Sequence, residues 1–317
     1  MPASHIALVL LVNALWGFNF VAAREGTLAF EPLTFITLRF AIVLVLLLPF
    51  LKIVPGRTRQ MLVIGLTMGV GHYAFMFYAI WLADSLASVA IAAQTTVPIA
   101  TVLAILFLGE RIRWPRALAI AASFAGVVVI VGAPAARDGT GGPGDGTQAV
   151  AVLLTLVAAV AMAIATILMR RLEGVATFTL QAWIALAATL SCGAITFAIE
   201  SPDLATLAAV PLASWWTPVY SAIGATIIGH GTLYWLLQRH PVNAVAPFIT
   251  LSTLFAIGFG IVLLDDALTP RIVIGGLLTL AGVTVVAMRN ARRDGAPSAP
   301  RPVPGARVAA GGPAQKK

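Results

Sequence analysis

Ionisable side chains inside long apolar runs are the first candidates for chemistry in this chain. His72, His230 and Arg39 lie in such runs, and no Asp or Glu sits midway along one. A charged group at membrane depth is costly, so each is a functional candidate by default. The pattern excludes carboxylate proton relays. Any proton coupling falls to His72 or His230, because histidine titrates near neutral pH. His72 shares a helical face with Gly65, Gly69 and Met76, and small residues admit a close neighbouring helix. His230 has Thr226 and Tyr234 four residues to either side. Each histidine reads either as a cavity wall or as a group hydrogen-bonded to a neighbouring helix. Arg39 reads as a fixed charge for a substrate carboxylate, or as an anchor snorkelling to the surface. Its expected partners are a helix carbonyl, Glu31 or Asp84.

Uncharged polar residues extend the set. Trp16 and Asn19 are one turn apart in the first run, with Asn13 one turn earlier. Gln94, Pro98 and Thr101 fall on one helical stripe, and Asn243, Pro247 and Thr250 on another. Proline removes a backbone donor and frees an upstream carbonyl. In lipid that carbonyl needs a neighbour or cavity water, so Pro98 and Pro247 read as hinges or as packing kinks. No Gly-rich phosphate loop, metal-spaced His/Cys/Asp set or nucleophile–base pair stands out. The lone Cys192 reads as packing. The expectation is therefore no enzyme, no metal and no cofactor.

These residues need elements to hold them. Of 317 residues, 60% are hydrophobic and 10% charged, against about 25% charged in a soluble domain. Ten apolar runs of 18 to 23 residues follow: 5–23, 33–51, 61–81, 86–108, 115–132, 149–168, 178–198, 217–237, 242–264 and 271–288. That length suits a bilayer core. With the N-terminus inside, 16 Lys and Arg fall in cytoplasmic segments and 3 outside, while the acids divide 3 and 9. The split predicts an even helix count and cytoplasmic termini. The net charge of +8 is thus an orientation signal, and no nucleic-acid partner is expected. The first run starts without Lys or Arg and is broken by Asn13 and Asn19, unlike a signal peptide.

The chain repeats itself. Shifted by 156, residues 85–130 match 241–286 without a gap: Val89-Ala90 meets Val245-Ala246, and Ala125-Gly126-Val127 meets Ala281-Gly282-Val283. Glu110 meets Asp266 at the end of the fourth helix of each half. Five helices per half is odd, so the second half enters from the opposite side. Inverted repeats of this kind form alternating gates around a midplane site, with Glu110 and Asp266 as gate candidates. The expected organisation is 1–133, a Gly/Pro-rich linker 134–147, 148–288, and a disordered basic tail 289–317 that touches anionic lipid.

Three stretches carry a family resemblance: Ala14 to Val21, Leu38-Arg39-Phe40 and Leu108-Gly109-Glu110-Arg111. With them the chain resembles the drug/metabolite transporter superfamily, in its ten-helix EamA-type branch. Leu86-Ala87-Ser88, Gly224 to Gly231 and Val245-Ala246-Pro247 make it most similar to exporters of O-acetylserine and cysteine. The resemblance implies that Arg39 is common whatever the cargo. Three departures stand out: Leu254 where the first half has Pro98, Asp265-Asp266 in place of Gly-Glu, and no Trp near Met162.

The resulting expectation is an all-α inner-membrane exporter of small metabolites, amino acids or their derivatives, as a monomer or homodimer. Trp16, Asn19, His72, Gln94, His230 and Thr250 are its expected substrate contacts. The alternatives are a sugar or nucleotide-sugar carrier, an intramembrane enzyme acting on lipid carriers, and a non-transporting receptor or scaffold.

Overall fold

The computed structural model describes residues 1–108, 114–131, 146–172, 174–240, 245 and 248–294. Every regular element among them is helical. We label α1 Ala3–Ala29, α2 Pro32–Leu47, α3 Thr58–Leu82, α4 86–108, α5 Trp114–Val131, α6 Gly146–Arg170, α7 Thr177–Ile199, α8 216–237, α9 Leu251–Leu264 and α10 Pro270–Asp294. Eight of them are long and apolar enough to cross a bilayer, and α9 is a shorter apolar helix. Glu110, Asn243, Pro247, most of the linker and everything past Asp294 lie outside the described residues. Two helices outrun their apolar cores: α1 continues through Arg24 to Ala29, and α10 passes the expected end at 288 to Asp294. Residues 289–294, expected as the start of the tail, follow a helical path. Leu106, Phe107, Val128, Leu190 and Val262 are more than half exposed, a surface suited to lipid rather than water.

Four helices are irregular, and the irregularities repeat. α3 turns π-helical over Thr67–Ala74, and α8 over Ser221–His230. The 156 shift carries 67–74 onto 223–230, inside the second π segment. α4 breaks into Leu86–Ala93 and Thr96–Leu108. Its break at Gln94-Thr95 comes four residues before Pro98, where the missing N–H predicts it. The carbonyls there are taken up locally: Thr95 Oγ1 donates to Ala92 O at 2.6 Å and Thr96 Oγ1 to Ala93 O at 2.8 Å. Regular helix in α9 starts after a turn at Thr250, the counterpart of Gln94. Leu254 stands in the place of Pro98 there, so the irregularity at Thr250 does not need a proline at that position.

The halves interlock as a pseudo-two-fold would require. α1 packs on α8 and α9, and correspondingly α6 packs on α3 and α4, while α2 pairs with α7 and α5 with α10. Counterparts run antiparallel. Thr279 Oγ1 donates to Ser123 O at 3.2 Å, and these two residues are related by the shift of 156. Either side of them, Ala119 meets Gly282 and Gly126 meets Gly275, two pairs that the same shift exchanges. In α2 and α7, Thr37 faces Gly193, again 156 apart. α3 meets α7 through Gly65 and Gly69, which lie against Ala187 and Ala188, the close approach that small residues permit.

Asp265 ends α9 in a left-handed conformation (φ 53°, ψ 33°), with Asp266 N bonded to Gly260 O at 3.1 Å. This is a glycine-favouring helix end. Asp265→Gly is expected to raise stability by about 0.5–1 kcal/mol, read as a higher unfolding temperature in detergent; a lower one would contradict the assignment.

Candidate functional site

The polar residues inside the bundle gather where α1, α2, α3 and α8 meet. Trp16 Nε1 donates to Ala225 O at 3.0 Å, and its ring lies 5.1 Å from that of His230. Ser221 Oγ bonds Asn19 Oδ1 at 2.7 Å. Thr226 Oγ1 donates to Ser221 O at 3.0 Å and accepts from Arg39 Nη2 at 2.8 Å. The chain Arg39–Thr226–Ser221–Asn19 therefore crosses from α2 through the π segment of α8 to α1. The π segment supplies Ser221, Ala225, Thr226 and His230, and π turns are frequent at functional sites. Trp16, Asn19 and His230 are each partly exposed, midway along their helices.

Arg39 does not snorkel. It is 2% exposed, and neither Glu31 nor Asp84 is its partner. Its guanidinium rests instead over the rings of Phe40, Tyr73 and Phe77 at 5.2, 4.8 and 5.5 Å, where cation–π attraction replaces part of its lost hydration.

His72 is engaged by α6. Its Nδ1 lies 2.9 Å from Ala158 O. A carbonyl only accepts, so Nδ1 carries the proton, which is the inter-helix hydrogen bond of the two readings above.

A second polar contact joins α4, α9 and α1. Gln94 Nε2 donates to Thr253 Oγ1, not to its repeat counterpart Thr250. Asn13 Oδ1 accepts from Ser252 N at 2.9 Å, capping the first turn of α9. Along the Gln94–Pro98–Thr101 stripe, Gln94 bonds α9 while Thr101 bonds α10. Thr101 bonds Val97 O at 3.1 Å and accepts from Asn290 of α10 at 3.1 Å.

Both ends of the bundle are bridged between halves. At one end Asp266 Oδ2 accepts from Ser85 Oγ and Ala87 N, each at 3.1 Å, capping α4. Burial pushes its carboxyl up from the ordinary value, opposed by these donors and by Arg24. Glu200, at the end of α7, caps α2 in the same way: Leu33 N and Thr34 N donate to it at 2.7 Å each, and Tyr78 OH at 3.1 Å. At the other end His5 Nδ1 meets His240 Nε2 at 2.6 Å, and Gln60 Nε2 donates to Leu168 O at 3.2 Å. Glu200 does not stand out in the sequence. Its only signal there is an acid ending an apolar run.

The EamA-like transporter family model matches residues 3–132 and 149–288, most of the chain. The chain belongs to the EamA-like transporter family. As a family member with eight long apolar helices, it is a multi-pass protein of the inner membrane. This EamA-like transporter is 29% identical over 286 residues to a probable amino-acid metabolite efflux pump of Salmonella typhimurium, covering 88% of this chain and 93% of that one. It is 28% identical over 289 residues to the protein of the same description in Escherichia coli, with the same coverage. An uncharacterized transporter of Bacillus subtilis is 22% identical over 298 residues, covering 90% and 97%. A solved crystal structure superposes with a TM-score of 0.60 at 20% identity, over 93% of this chain and all of that one, a likeness of fold. The family model matches once in each half, in agreement with the repeat read from the sequence.

Proposed function

We propose that this EamA-like transporter exports small metabolites, amino acids or their derivatives, by alternating access between two inverted five-helix halves. Ten helices span the membrane with both termini in the cytoplasm, which puts 16 of the basic residues inside. Asp266 and Glu200 then close the outer end, and the His5–His240 pair the inner end. Transport requires one set of these bridges to open at a time.

The observation that carries the reading is the repeat-related pair of π segments, Thr67–Ala74 and Ser221–His230. Irregular helices near the midplane that shape a polar site are a transporter device. The antiparallel packing of α5 on α10 and of α2 on α7 supports inverted halves, and the descriptions of the enterobacterial relatives support the cargo class. Trp16, Asn19, Gln94, His230 and Thr250 line the route, with His72 holding α3 to α6 beside it. Pro98 and Pro247 are the hinges, and Asp266 and Glu110 the gate acids.

The test is a growth-resistance and export screen, across amino acids and toxic analogues, in a strain overproducing the protein. Raised resistance to at least one analogue is expected, falling at least tenfold in Gln94→Ala. No protection against any member of the panel would sink the proposal. For coupling, vesicles carrying His230→Ala or His72→Ala are expected to lose acceleration by an imposed pH gradient; wild-type acceleration in both would assign coupling elsewhere.

A further inference from the structure

The bonding of Arg39 is incomplete. Its side chain is 2% exposed, yet Nε and Nη1 have no hydrogen-bond partner among the described residues. Nη2 is engaged by Thr226 Oγ1 at 2.8 Å, the Tyr73 hydroxyl is a weaker polar neighbour, and no carboxylate among the described residues pairs with the charge. A guanidinium has five N–H donors, and those on Nε and Nη1 make no close hydrogen bond among the described residues. Thr226 takes one of the two hydrogens on Nη2, which lies on one edge of the planar group. Whichever edge that is, the other keeps both of its parallel N–H bonds. Two parallel donors match one carboxylate. Leaving such a group buried and unmatched is expensive, and the rings of Phe40, Tyr73 and Phe77 offset only the charge, not the unfilled directional donors.

The location adds a second observation. Arg39 sits between the two π segments, over Tyr73 of the first and bonded to Thr226 of the second. Ala225, next to Thr226, receives the Trp16 indole. A ligand held by Arg39 would therefore be linked, through that one side chain, to the irregular part of both halves.

We propose that the free edge of Arg39 is a carboxylate-binding site, and that it holds the carboxylate of the transported molecule. The second clause rests on the transport reading; the anion site itself does not. Binding replaces unfilled N–H bonds with a bidentate pair and draws α3 and α8 onto one ligand. A neutral ester or amide of the same shape lacks the charge and the second acceptor oxygen, and is held weakly. Arg39 thereby sets specificity for acids over their amides.

The test compares propionate with propionamide, which have nearly the same shape and differ in charge. Thermal unfolding of the purified full-length protein in detergent is followed at matched ionic strength. Near-saturating propionate is expected to raise the unfolding temperature of the wild type by roughly 2–4 °C, and propionamide to leave it unchanged. Arg39→Gln is expected to abolish the difference. Arg39→Lys, which keeps the charge without the fork, is expected to lose more than half of it. Equal responses of the wild type to the two probes would overturn the proposal, whether or not either variant folds. So would a full propionate response in Arg39→Gln. A propionate shift in a protein that moves no amino acid would leave the anion site standing and reject the cargo. Flux without a propionate shift would do the reverse.

Discussion

Gly126→Val is expected to prevent α5 and α10 from closing on each other. A side-chain carbon at Gly126 would overlap the Thr279 hydroxyl and the Gly275 carbonyl, and would lie 2.6 Å from Thr279 N. Two of these atoms are backbone, so no rotamer change relieves them. Lipid gives no hydrophobic drive between helices, and their association rests on close packing of small residues. Forcing this pair apart also breaks the Thr279–Ser123 bond at its centre. The cost is expected to be ~3 kcal/mol or more, seen as a large fall in unfolding temperature and in monodisperse yield. Gly258, with nothing within 4 Å of an added carbon, is the control: Gly258→Ala should cost nothing. Wild-type stability in Gly126→Val would refute the antiparallel crossing at this point.

Glu200→Ala carries the second large effect. One carboxylate accepts from Leu33 N, Thr34 N, Thr34 Oγ1 and Tyr78 OH at 2.7, 2.7, 2.8 and 3.1 Å. Two of those donors are the first amides of α2, which have no partner within the helix. Alanine leaves all four without an acceptor. Water recovers part of the loss at this bundle end, so the net cost is about 3 kcal/mol. Glu200→Gln keeps one acceptor oxygen and should lose about half as much. An unfolding temperature unchanged in Glu200→Ala would show that α2 does not depend on this cap.

Much of the fold is legible in the sequence because lipid enforces simple rules. Apolar runs must be helices long enough to span; α2 to α8 emerge close to their expected bounds, α1 and α10 run past theirs, and the expected start of α9 lies largely outside the described residues. The shift of 156 aligns residues one to one, and the structure gives it physical form as pairs exchanged across α5 and α10. The polar cluster is legible less evenly. Trp16, Asn19, Arg39 and His230 do converge, because polar groups in apolar helices turn inward. Their partners are not legible. Gln94 reaches Thr253 rather than Thr250, because pseudo-symmetry relates environments and does not place equivalent residues in contact. The Pro98 stripe gives no sign that Thr101 accepts from Asn290 of α10, a contact set by the packing of α4 on α10. The π segments leave no composition signal beyond their glycines, since one extra residue per turn is a tertiary outcome. Glu200 caps a helix 166 residues away in sequence from Thr34, a relation that no local pattern encodes.

The central claim, carrier-mediated export of an amino-acid-type metabolite, meets its most direct test in flux from proteoliposomes. Vesicles holding the purified protein are loaded with radiolabelled O-acetyl-L-serine, and release is followed beside protein-free vesicles and vesicles holding Gly126→Val. The account predicts saturable release by the wild type, at least tenfold above both controls and accelerated by unlabelled substrate outside. Release no faster than from protein-free vesicles, for this molecule and for every amino acid that scores in the resistance screen, would contradict it.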